Sequence, residues 1–207
     1  MKCKYKTKKY FFNSLLDKYT EVVKRCQLIE YISKSFDFIP NTKIQINDDF
    51  LIYKQLFLNR ISYKNISGDK KKELLKKFSY NLDKLQNIDF VHGDIHGANI
   101  IYDGYQLNLI DLEPSFRQNR HGKKVFMSAA PTRSLNDIAN KRISSETDKL
   151  GFYLFSFFFL NTEFYSKMKI NKIISKRKNG FQFTPIKESE FVKLSFSEIY
   201  NYVSCQS

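Results

Sequence analysis

Three short oxygen-bearing side chains, Asp94, Asn99 and Asp111, stand close together in the segments Val91-His-Gly-Asp-Ile-His-Gly-Ala-Asn99 and Asn108-Leu-Ile-Asp-Leu-Glu113. Their types suit phosphoryl transfer. That reaction needs a group to orient the attacking hydroxyl and hard oxygen ligands to hold Mg²⁺ against the phosphates, because the work is positioning and charge neutralisation. A carboxylate on a loop can do the first, and a carboxamide paired with a second carboxylate can do the others.

The residues between them supply the means of bringing them together. Ile100-Ile-Tyr102 is an apolar run, Asp103-Gly104 is the dipeptide a type I′ turn prefers, and Leu107-Asn-Leu-Ile110 is the return run. A hairpin closed by that turn puts Asn99 and Asp111 at the same end. Asp94 lies five residues before Asn99, near enough to share their cleft.

The HGDIHGAN and IDLE segments resemble the aminoglycoside phosphotransferase and choline kinase group of the protein-kinase-like superfamily, which includes small bacterial sugar and lipopolysaccharide-core kinases. The resemblance implies Asp94 as catalytic base, Asn99 and Asp111 as magnesium ligands, and His92 as a structural brace between the loop and the Asp111 segment. It places His96 where related kinases carry a phosphate-contacting Lys, so His96 is a further catalytic candidate. Glu113 is a candidate metal or substrate contact, or a salt-bridge partner for Arg117. Asp148 matches the Asp that braces the catalytic loop by accepting its backbone N–H groups, with a plain helix cap as the alternative. The implied cofactors are ATP and Mg²⁺.

Simpler readings compete at each position. A single Asp or Asn beside a turn is ordinarily a cap or turn residue, and it is the joint pattern of Asp94, Asn99 and Asp111 that argues for a site. His121, amid Arg120, Lys123 and Lys124, reads as a solvated loop residue. Gly93-Asp-Ile-His-Gly97 also has the form of the opening metal motif of metallophosphoesterases, but a dinuclear centre needs several more ligands downstream. The chain has three His in all and the last is His121.

The flanking elements follow a kinase-like order. Apolar residues from Leu15 to Ile32 keep helical spacing across 13 to 33, as the single helix of an N-lobe would. Residues 42–47 and 50–54 alternate as two strands of a hairpin, with Gln55-Leu-Phe57 as the hinge toward adenine. Asp69 is the expected cap of a helix running to about Gln86, and Ser145-Glu-Thr-Asp148 forms a capping-box pattern before an aromatic helix at 149–160. Residues 114–141 read as a segment that shapes or gates the substrate site. Residues 161–207 read as helical packing broken near Gly180 and Pro185.

The expected fold is therefore α+β and protein-kinase-like, with a reduced N-lobe at 1–57 and a mostly helical C-lobe at 58–207. The departure from the pattern is at the front. No glycine precedes Gly68, so no Gly-rich loop is recognisable. The strand Lys of a kinase and its helix Glu could be drawn from Lys2, Lys4 or Lys6 and from Glu21 or Glu30, with Lys4 and Glu21 preferred.

Composition sets outer limits. The 207 residues, 42% hydrophobic with 20 Phe and 13 Tyr, can bury a core, which argues against a disordered chain. Cys3, Cys26 and Cys205 are odd in number and form no CxxC pair, so they read as reduced thiols. The longest apolar stretch, 150–160, falls short of the roughly 20 residues a bilayer span requires, and no signal-peptide core follows the basic start. A cytoplasmic protein is expected, with peripheral contact to an anionic membrane surface as an addition.

The formal net charge of +14 attracts anions, although basic clusters at 2–9, 70–77 and 172–178 read first as solvated faces. The expected function is ATP- and Mg²⁺-dependent transfer of a phosphoryl group to a hydroxyl of a small molecule, sugar or lipid headgroup, the acceptor being anionic if the charge serves it. The alternatives are a kinase-like pseudoenzyme that binds without transferring and, further off, a protein kinase. Nucleic acid stands as a partner only through the charge.

Overall fold

A computed structural model describes residues 4–11, 16–47, 50–112, 133–140, 142–161, 180 and 182–206. Glu113 and most of the 114–141 segment lie outside the described residues, as do Lys2 and the basic cluster at 172–178.

The chain opens on strand β1 (Tyr5–Phe11), helix α1 (Leu16–Ser35) and strands β2 (Thr42–Ile46) and β3 (Phe50–Leu56). These strands form an antiparallel sheet in the order β1-β3-β2. The register pairs Tyr5 with Leu56 and Phe11 with Phe50 on one side of β3, and Thr42 with Gln55 and Ile46 with Leu51 on the other. Central β3 alternates, burying Leu51, Tyr53 and Gln55 on one face, as period-2 geometry requires. Helix α1 buries Cys26, Ile29 and Ile32 and is tied to the sheet by polar contacts. The Ile44 amide donates to Glu30 Oε1 at 2.8 Å, and the Ser33 hydroxyl bridges to the Thr42 backbone.

Helix α2 (Gly68–Gln86) begins at Ser67, whose side chain accepts from the Lys70 amide, so Ser67 rather than Asp69 is the cap and Asp69 sits in the first turn. Its buried face carries Leu74, Leu75, Phe78, Leu82 and Leu85. Beyond its end, Asp89 takes a left-handed conformation (φ 55°), and the Phe90 amide returns to the Leu85 carbonyl. This turn aims the chain into the 91–99 loop. Strands β4 (Ile100–Tyr102) and β5 (Leu107–Leu109) follow as an antiparallel hairpin.

Short helix α3 (Leu135–Ala139) precedes helix α4 (Ser145–Leu160), which starts four residues earlier than periodicity suggests, capped by the Ser144 side chain on the Glu146 amide. Helices α5 (Glu188–Phe191) and α6 (Phe196–Ser204) close the helical part. α6 has a capping box of Ser195 and Glu198, and the Asp83 carboxylate of α2 accepts from the amides of Phe196 and Ser197. A shared core of aromatic rings, among them Phe78, Phe152, Phe155 and Phe196, joins α2, α4 and α6. The architecture is mixed α and β with small sheets. Among the described residues, no helix is long and apolar enough to cross a membrane.

Two local outcomes differ from the sequence expectation. The basic tract at 2–9, read first as a solvated face and otherwise as the source of the strand Lys, contains most of a strand, with Tyr5 to Phe11 paired along all of β3. That same pairing extends β3 through Leu56, so Gln55 belongs to the strand instead of the connector.

Candidate functional site

The 91–99 loop has little regular backbone pairing, and side chains hold its shape from several sides. From α4, the Asp148 carboxylate accepts the His92 and Gly93 amides, each at 2.7 Å. From α1, Arg25 Nη2 donates to the Val91 carbonyl at 2.7 Å. From the chain after β3, Arg60 Nη2 donates to the Ala98 carbonyl at 2.6 Å. Within the loop, His92 Nδ1 accepts the Asp94 amide at 3.1 Å, which leaves the proton on Nε2 for the Ile110 carbonyl 2.9 Å away. His92 is buried and links the loop to the segment carrying Asp111.

Two glycines make this path possible. Gly93 has φ 83°, a left-handed conformation that a side chain resists, and an added Cβ would press on Ile143. Gly151 lies inside α4, where glycine normally weakens a helix. A Cβ there would collide with the Ile95 carbonyl oxygen, so the loop backbone rests directly on the helix.

Asp94, Asn99 and Asp111 meet through the hairpin. Asn99 Nδ2 donates to the Asp94 carbonyl at 3.0 Å and to its Oδ2 at 3.3 Å. With Nδ2 committed, Oδ1 is the atom Asn99 can offer a cation. The Ile110 amide donates to the Asn99 carbonyl at 2.9 Å, which sets Asp111 beside it. Asp111 has φ 57°, a region where Asp is better tolerated than most residues. His96 Nδ1 accepts the Ala98 amide, leaving the Nε2 proton directed at Asp94 Oδ2, 3.3 Å away.

The sheet supplies positive charge to the same place. Lys6 and Lys8, alternate residues on one face of β1, reach Asp111 Oδ1 at 3.0 and 3.2 Å. Burial works to raise the Asp111 carboxyl, but the two ammonium groups outweigh it and hold the carboxyl below its usual range. Lys4 is exposed, and its carbonyl accepts from the Phe57 amide; the structure brings Lys6 and Lys8 to Asp111 and not Lys4. Gln55 is buried, donating to Thr42 and Tyr53, with its Oε1 3.5 Å from the Asp111 amide. Phe57 is exposed. The side chain of Glu21 and all of Glu113 lie outside the described residues, and Glu30 is engaged with β2.

Asp148 carries the largest electrostatic burden. Burial pushes its carboxyl up to about 7, against the pull of the two amide donors and of Arg25. Lys8, Arg25, Arg60 and Gly151 were not evident as site residues from sequence. Only Gly151 has a local signal, since a glycine inside a helical pattern costs helix stability and so asks for a reason in the packing. No protein-family model matches the chain, and no curated protein matches it in sequence.

Proposed function

We propose that the chain is an ATP- and Mg²⁺-dependent phosphotransferase with a hydroxyl-bearing small molecule, sugar or lipid headgroup as acceptor. The observation that carries this reading is that Asn99 is bonded to Asp94 and, through the Ile110 amide, lies beside the segment of Asp111, which Lys6 and Lys8 reach. The order β1-α1-β2-β3, a connector, α2, a loop and a hairpin supports a protein-kinase-like two-lobed fold, with β1 as the lysine-bearing strand.

The donor set fits magnesium. Mg²⁺ is held by one or two carboxylates together with substrate phosphates and water, and Asp111 and Asn99 Oδ1, on segments joined by the Ile110–Asn99 backbone bond, are hard oxygen donors of that kind. Bound there, the ion would neutralise charge on the phosphates. Lys6 and Lys8 are placed to transfer their charge from Asp111 to phosphate oxygens. Asp94, oriented by Asn99 and His96, takes the acceptor's hydroxyl proton, and His92 and Asp148 keep the loop from relaxing.

A second reading, a nucleotide-binding protein with weak transfer, is favoured by the two lysines that already neutralise Asp111. Transfer from γ-labelled ATP to a panel of sugars, aminocyclitols, choline and lipid headgroups separates the two. The Asp94→Asn variant keeps its size but loses the proton acceptor, so transfer should drop about 10²–10⁴-fold while nucleotide binding is retained. Full turnover by that variant removes Asp94 from the role of base.

A further inference from the structure

Helix α1 reaches the 91–99 loop through a partly buried side chain, Arg25. Arg25 extends from α1 with its guanidinium 3.8 Å from the centroid of the Phe90 ring and its Nη2 on the Val91 carbonyl, three residues before Asp94. Its Nε is buried without a hydrogen-bond partner. Burial lowers the guanidinium to about 10, with the Asp148 charge pulling the other way. A charge held in this way is costly, and an apolar side chain would fill the space with less penalty. Helix anchoring alone does not call for it, since Cys26, Ile29 and Ile32 already bury the same helix.

We infer that Arg25 is a positioning residue that couples the placement of α1 to the placement of Asp94. The inference deepens the proposed phosphotransfer reading and rests on it. Arg25 and Asp148 grip the two ends of one peptide unit from different helices: Arg25 takes the Val91 carbonyl and Asp148 the His92 amide, together with the amide of the next unit, Gly93. Rotation of the Val91–His92 peptide would break the Arg25 bond and the Asp148–His92 bond together. A shift of α1, the helix between strands β1 and β2, is thereby carried into the loop that bears the base. The site is then set by the sheet side of the molecule as well as by α4.

The test compares Arg25→Met, which keeps bulk and loses the charge and donors, with Arg25→Lys, which can restore one donor without the planar stacking. Steady-state transfer is measured alongside hydrogen–deuterium exchange of the full chain. Arg25→Met should lower kcat about ten- to a hundredfold through misplacement of Asp94, with KM for ATP changed less than about twofold. Exchange should quicken at the His92 and Gly93 amides while α2 and α6 stay protected, and Arg25→Lys should recover part of both effects. Unchanged kcat and loop exchange in Arg25→Met overturns the inference, as does exchange that quickens equally in α2, α6 and the loop. If the wild-type chain transfers to no acceptor, the phosphotransfer reading falls, and the exchange pattern alone decides whether Arg25 holds the loop.

Discussion

Asp148 shows how a single buried carboxyl controls the loop and exposes it to pH. Its folded-state value of about 7 lies above its ordinary 3.8, so the native protein retains a proton that the unfolded chain releases. Stability from this group is fully present below about 4, falls as pH rises toward about 7, and is level above that. Asp148→Asn removes the titration and, by losing one acceptor oxygen, leaves one loop amide poorly satisfied at a pH-independent cost of about 1–3 kcal/mol. Urea melts at pH 5 and pH 8 should therefore show wild type losing stability relative to the variant as pH rises. A constant difference between the two would contradict the raised value. The resemblance gave Asp148 two readings, a plain helix cap or a brace that accepts backbone N–H groups of the loop, and the structure shows the brace, with the His92 and Gly93 amides as donors from more than fifty residues away.

At the scale of elements, the hairpin and the α4–loop contact do most of the positioning. The hairpin itself was legible because Asp103-Gly104 is a turn signal between two apolar runs, but its closure was not: Tyr102 pairs with Leu107, so residues 103–106 connect the strands in place of the two-residue type I′ turn, and of Asp103 and Gly104 only the glycine has a positive φ. The α4–loop contact was not legible, since nothing in the aromatic run 150–160 states which backbone packs on Gly151. Replacing a helix-interior glycine by alanine ordinarily stabilises by about 0.5–1 kcal/mol. Here Gly151→Ala should instead destabilise by about 1–3 kcal/mol, as overpacking does, because the new methyl meets the Ile95 carbonyl and not a flexible side chain. Thermal melts decide the sign, and a stabilised variant would mean that the loop does not rest on the helix. On strand β1 the choice of lysine, Lys4 in place of Lys6 and Lys8, missed for a different reason. Its lysines read as a solvated charge run, yet two of them turn toward Asp111, which only the pairing with β3 reveals.

For the whole molecule, the +14 charge is the property with the widest reach. On α2, Lys76, Tyr80 and Lys84 share an exposed stripe, with the Lys84 ammonium 4.5 Å from the Tyr80 ring centroid. If such faces gather an anionic acceptor, its KM should rise steeply between low and physiological salt, because exposed charges are screened over about 8–10 Å. ATP affinity should change less, since Lys6 and Lys8 act at contact range, where screening is weaker than between distant charges. Turnover of a neutral acceptor that ignores salt would assign the surplus charge to solvation alone. The mixed architecture could be read from the pattern of elements, and the resemblance pointed to His92 and Asp148 as braces of the loop; Arg25 and Arg60 could not be read, because each reaches the loop from a distant part of the chain.

The central claim is that Asn99 and Asp111 present a magnesium site to a bound nucleotide. Calorimetric titration of ATP into the wild-type chain and the Asp111→Asn variant, each with Mg²⁺ and with EDTA, addresses it most directly. Asparagine tolerates the left-handed backbone at this position, so the variant keeps the local conformation while losing the anionic ligand. Wild type should bind ATP at least about tenfold more tightly with Mg²⁺, a difference of about 1.4 kcal/mol, and Asp111→Asn should lose most of that gain. Metal-independent ATP binding by wild type, or an unchanged metal effect in Asp111→Asn, would contradict the account.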